Sequence, residues 1–184
     1  MFISNVDTHV REFFSGHMIT HCYWTAGPIL KVLPRFRVLR VAPGKKSNLW
    51  IYVSDGASEI TSDESARLEF MIFAPEESSR HVELLAMSAH YHFNHSLGLG
   101  HTYPIGEPWL QGSRCDHMLV SLPYPFGEDL EVCAGNGSHV HLFWLLPITE
   151  AERNFKKENG LEALEQIFEE REIEYWRTDR ESLV

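Results

Sequence analysis

The chain is poor in cysteine: Cys22, Cys115 and Cys133 form an odd set without CxxC spacing. Such a set supports neither a disulfide framework nor a thiolate zinc site, and it fits reduced thiols in a cytosol. Long apolar runs are absent too. No stretch approaches the roughly 18 residues of a membrane span, and MFISNVDTHVREFF has no basic region leading into an apolar one. A cytoplasmic protein without membrane contact is expected. The motifs of catalysis are missing as well: no GxSxG elbow, no HExxH pair, no Walker loop, and GLGHT departs from GxGxxG. No catalytic residue, metal ligand or cofactor is assigned, and the chain is read as a non-enzyme.

What is present describes one domain, residues 1–184. Hydrophobic residues make up 43 % and aromatics 12 % of the chain. A chain of this length buries roughly 70 % of the surface its unfolded form exposes, so it needs no disulfide or metal staple. The net charge is −10, and it is unevenly placed: residues 1–50 carry +5, the other 134 carry −15. An acidic surface repels nucleic acid and anionic lipid and steers basic partners into encounter. Neither nucleic acid nor membrane is expected as a partner.

Periodicity outlines the elements. DTHVREFFSG predicts a short amphipathic helix capped by Asp7 or Thr8 and ended by Gly16. Strand patterns follow at 35–43, 48–56 and 66–75. In SRHVELLAMSAHYHF (79–93), Val82, Leu85, Ala86, Ala89 and Phe93 fall within about 100° on a helical wheel, the width of a core-facing stripe. Glycines and prolines break up residues 96–137, with strands at DHMLVSLP and near DLEVCA. HVHLFWLLPI (139–148) is nearly unbroken in apolar residues and too short for a membrane span, so a central strand covered on both faces is the simplest reading. Thr149 and Glu152 fit a capping box opening one helix, and Asn159-Gly160 separates it from a second, LEALEQIFEEREIEYW, with a stripe of Leu161, Leu164, Ile167 and Phe168. The fold class is α+β: a single domain, a mixed and mostly antiparallel sheet flanked by helices, and two consecutive helices near the C-terminus. The acidic run from Glu150 to Glu174 reads as a solvated helix face or as a surface for a cationic partner.

The densest concentration of chemistry is SAHYHFNHSLGLGHT (88–102), which holds His90, His92, His95 and His101. On a helix His90 and His92 point about 160° apart, so one ion cannot take both from a single turn. His139 and His141 share a strand face, but their apolar surroundings favour packing over ligation. A metal-assisted hydrolase built from some of the four clustered histidines and Asp116 stays as an alternative.

The passages FRVLRVAP, WIYVSDGAS, GLGHTYPIGEP, LVSLPYPFG and HLFWLLPITEAERNFKKENGLEAL resemble the suppressor of fused domain family, particularly its short bacterial members, from about Arg35 to about Phe168. The resemblance implies an α+β binding domain without catalysis. Animal members grip a short Gli peptide as an added strand, and short bacterial members are thought to be immunity proteins that neutralise toxins. The implied partner is a protein, read as a basic toxin or effector blocked by occlusion. A peptide-binding regulatory module without a toxin is the alternative. By its place in AHYHF, Tyr91 corresponds to a tyrosine of the animal grip. An acid of that grip falls at Gly100, just before His101, so its carboxylate is missing here.

Tyr91 lies about 180° from Val82 on the wheel, free for contact or packed under the following glycine-rich loop. His90, His92 and His95 read as the exposed end of a helix, and His101 as a loop residue beside a binding surface. Glu107, Asp116 and Glu128 join Tyr91 and His101 as candidate partner contacts.

Overall fold

In the computed structural model, which describes residues 5–60, 67–134 and 139–184, the apolar alternations pair into one eight-stranded sheet. Helix α1 (Val6–Phe13) leads to β1 (Ile19–Cys22), a short α2 (Ile29–Val32), then β2 (Arg37–Val41), β3 (Trp50–Asp55) and β4 (Leu68–Ala74). Long helix α3 (Ser79–His95) is followed by β5 (Thr102–Pro104), β6 (His117–Ser121), α4 (Glu128–Glu131), β7 (Val132–Ala134) and β8 (His139–Ile148). Helices α5 (Glu150–Asn159) and α6 (Leu161–Glu170) come last. The strand order is β1-β2-β3-β4-β8-β6-β5, with β7 also on β8.

All pairs are antiparallel except β4 with β8. A parallel neighbour cannot be reached by a hairpin, so the chain between β4 and β8 makes a long crossover that carries α3 and the strands of the loop-rich region. As its apolar run predicts, β8 lies mid-sheet. It pairs β4 on one edge and β7 and then β6 along the other, through Val132↔His141 and Leu119↔Leu146.

Both faces are covered. On one, α2 and α3 pack Ile29, Val82, Leu85 and Ala89 on Tyr52, Phe70, Ile72, Met118 and Leu145. On the other, Val10 and Phe14 of the α1 region and Leu164 and Phe168 of α6 cover Val53, Met71, Phe73, Leu119, Trp144 and Leu146. This is why β4 is buried at every position, with no polar alternation. Its one carboxylate, Glu69, is fully buried and accepts from Ser54 and Ser58 hydroxyls and from the backbone N–H groups of Gly56, Ala57 and Ser58.

Several expectations are corrected. Helix α1 begins at Val6 with Asn5 before it and no side-chain cap. Asp7 instead binds Arg11, His21 and Arg37, tying α1 to β1 and β2. In DLEVCA a single helical turn, α4, precedes the strand. Phe93 is 47 % exposed, outside the stripe, whereas His92 is buried inside it. The last helix ends at Glu170 instead of running to Trp176. Glu172 takes φ +49°, which stops the helix, and the following segment turns back over the sheet. There the Arg114 and Cys115 N–H groups donate to Thr178 O.

Candidate functional site

The clustered histidines diverge. His92 points into the core, where its Nδ1 accepts from Leu97 N–H at 2.8 Å and its ring meets Phe70 edge-on at 5.7 Å. Burial holds its pKa below the ordinary imidazole value. His90 is half-buried, His95 is exposed and lies 4.3 Å from the Tyr91 ring, and His101 accepts from Gly98 N–H across its own turn. The reading of all three helical histidines as exposed is therefore wrong for His92, which caps the backbone beyond α3. Among the described residues no three His, Cys, Asp or Glu side chains are placed to hold a metal ion. The histidine-based hydrolase has no ligand geometry in this region.

What the helix end does form is one wall of a groove of about 620 Å³. Met87, His90, Tyr91 and His95 of α3 face Trp24 and the 26–29 segment before and within α2, with Pro104, Ile105 and Gly106 at its end. Tyr91 is half-buried and stacks on Tyr103 of β5, ring centroids 4.9 Å apart and planes within 23°. Tyr103 is anchored from below: its hydroxyl donates to Ser88 Oγ at 2.7 Å, and burial pushes its phenol pKa up. Met87 is 49 % exposed and Tyr23, next to Trp24, 63 % exposed, so the groove is apolar and open. Exposed large apolar groups gathered around a concavity mark binding surfaces more often than solvated ones.

Strand β5 borders this groove and is an edge of the sheet, paired among the described residues with β6 alone. Val120 N–H donates to His101 O and Ile105 N–H to Asp116 O, and Tyr103 pairs with Met118 between them, so the odd positions 101, 103 and 105 face β6. By alternation Thr102 presents its N–H and C=O outward, and Pro104 a C=O alone, having no N–H. This is a short, partly blunted edge that offers a partner strand a few main-chain bonds.

Four of the five candidate contacts gather around this edge. Tyr91 lines the groove, and His101 immediately precedes β5. Exposed Glu107 follows Gly106, and Asp116, also exposed, is joined to the far end of β5 through its carbonyl and to His117 through its carboxylate at 2.9 Å. Glu128 is exposed at the start of α4, an element that packs on α1 and β8, away from β5. The groove residues Trp24 and Met87 escape a reading based on a core-facing stripe. The signal available for Met87 is its place about 140° from Val82 on the wheel, an apolar residue on the outer side of the helix.

Buried reactive groups are structural. Burial raises the Cys115 and Cys133 thiols to about 11, which keeps them protonated and unreactive. All three cysteines are free.

The family model for suppressor of fused protein matches residues 33–181. The chain is 38 % identical to a suppressor of fused homologue from Neisseria gonorrhoeae FA 1090 over 98 % of this chain and 95 % of that one, with a TM-score of 0.86. The chain belongs to the suppressor of fused family. Two more distant structures share the fold alone. Sufu in the Sufu–Fu complex is 14 % identical over 97 % of this chain and 90 % of that one (TM-score 0.69). Drosophila Suppressor of Fused is 13 % identical over 98 % of this chain but 50 % of its own length (TM-score 0.71). No curated protein sequence matches significantly.

Within this suppressor of fused domain, Gly100 occupies the place where the resemblance puts an acid of the animal grip. Its φ of +77° favours glycine, and a Cβ there would sit 3.3 Å from Leu161 Cδ2. Any side chain at this position, a carboxylate included, would strain the turn. Among the described residues no helix is long and apolar enough to cross a membrane.

Proposed function

We propose that this suppressor of fused domain is a non-catalytic module that binds another protein by taking an extended segment of it along β5 and into the groove beside α3. The observation that carries the reading is the outward edge of β5 lying against the Tyr91–Tyr103 stack. Main-chain bonds to Thr102 and Pro104 supply affinity, and the apolar groove selects side chains. The Sufu–Fu complex supports it by analogy, since that protein is itself captured with a protein partner.

The partner is a basic toxin or effector, and the domain acts as its immunity protein in the cytoplasm. Toxins that act on nucleic acid must attract phosphate. A cover of charge −10, with Glu107 and Asp116 exposed around β5, speeds capture and occludes the cationic surface. The same charge opposes binding to nucleic acid or an anionic membrane.

The test is co-expression with the products of the genes that flank this one. Protection of the host and co-purification of the pair are expected, with both lost in Tyr91→Ala. A neighbouring product that binds but is harmless alone would make the domain a regulatory peptide-binding module. Neither binding nor protection would end the immunity reading.

A further inference from the structure

The opposite face of the sheet carries a second concavity, separate from the β5 groove. A cleft of about 560 Å³ opens between β8, α6 and the segment that turns back after α6. Trp144, Leu146, Phe168, Ile173 and Tyr175 give it an apolar lining. Trp144 packs edge-on against Phe73 at 4.9 Å and Tyr175 at 4.6 Å, which fixes its ring. It is 4 % exposed, and its Nε1–H is buried without an acceptor. Its ring, and not its N–H, is therefore what the cleft presents.

The rim is acidic. Glu162, Glu165 and Glu169 of α6 line the same cleft, spaced so that they share one side of the helix. None of the three forms an ion pair among the described residues. Glu165 accepts only the Tyr124 hydroxyl, at 3.1 Å. Apolar lining and unpaired acids ask for different things of one occupant: a large apolar side chain and positive charge. A polypeptide supplies both at once. A second copy of this chain, itself at −10, would bring mostly like charge to the rim.

We propose that this cleft is a second docking site, for a segment of a partner protein in which one large apolar side chain is flanked by lysine or arginine. The apolar group fills the space beside Trp144, and the cations meet the three glutamates. The site does not depend on the β5 groove and does not require the partner to be a toxin.

The test titrates the full-length ¹⁵N-labelled protein with the peptide Lys-Arg-Phe-Leu-Lys-Arg and follows the Trp144 indole N–H, assigned through its contact with the Tyr175 ring. The expected result is a saturable shift of that resonance, weakened at least about tenfold in Glu162→Gln/Glu165→Gln/Glu169→Gln, whose sites are on the rim and not in the core. Lys-Arg-Ser-Gly-Lys-Arg, without the apolar pair, leaves it unmoved. The proposal is overturned if the first peptide does not move the Trp144 signal. It is overturned equally if Glu-Glu-Phe-Leu-Glu-Glu or the triple variant gives the same affinity, or if the signal shifts with protein concentration alone, which would mark a second copy as the occupant.

Discussion

Arg180 grips Glu152 across 28 residues: Nη1 and Nη2 donate to its two carboxylate oxygens at 2.5 and 2.9 Å, and both side chains are buried. Glu152 also accepts from Thr149 N–H in the capping box of α5 and from Leu183 N–H. One carboxylate therefore starts a helix and pins the returning C-terminal segment. Removing one member of a buried pair leaves the other charged and uncompensated, at about 3–5 kcal/mol. Arg180→Met is expected to lose that much in chemical denaturation, and Arg180→Met/Glu152→Met to recover part of it. A double variant that loses the sum of what Arg180→Met and Glu152→Met lose singly would show that the pair is not coupled.

His81 gives the fold an acid-sensitive point. It is buried between Tyr52, 4.9 Å away ring to ring, and Trp109, whose Nε1–H donates to His81 Nδ1 at 3.4 Å, while its other nitrogen serves the Glu76 carbonyl. Burial lowers its pKa from 6.5 to about 4. The unfolded chain then binds a proton that the folded chain refuses, so the contribution is intact above pH 6.5 and is lost as pH falls toward and through 4. For this group the loss from pH 7.5 to pH 5 is about 2 kcal/mol. The same drop measured in His81→Gln should be smaller by that amount, and an unchanged drop would contradict the assignment.

Tyr91 should separate binding from folding. Its ring both stacks on Tyr103 and lines the groove, so Tyr91→Phe keeps the stack and the affinity if the hydroxyl is not read. Tyr91→Ala should weaken the partner at least about 30-fold, the mark of an aromatic hot spot, while the domain stays folded by circular dichroism. Weak binding in an unfolded variant would not count, and full affinity in a folded one would remove Tyr91 from the interface.

Much of the architecture is legible in local pattern. The capping box of Thr149 and Glu152, the glycine break before α6 and the central β8 run each follow from a few adjacent residues. The misreadings share a cause: the deciding partner is far away in sequence. Glu152 reads as a helix cap and nothing more until Arg180 reaches it from 28 residues away. EREIEYW continues the helical composition of α6, yet Ile173 and Tyr175 leave the helix to pack beside Trp144. Helix α3 is buried over a wider arc than one stripe, because the sheet covers one side and the Leu97–Ile105 segment another. His92 is thereby taken inside, and Phe93 is left in solvent. The β5 groove combines Trp24, Met87, Tyr91 and Pro104, four positions that only the folded sheet brings together.

The strand-addition account is tested most directly at a single amide. Thr102 N–H faces outward from the edge of β5, and a partner strand must accept from it. Hydrogen exchange at Thr102, followed in the free domain and in the purified complex with its partner, should slow at least about tenfold on binding, and Thr102→Pro should abolish the complex without unfolding the domain. A tight complex in which the Thr102 amide exchanges as fast as in the free domain would contradict the account.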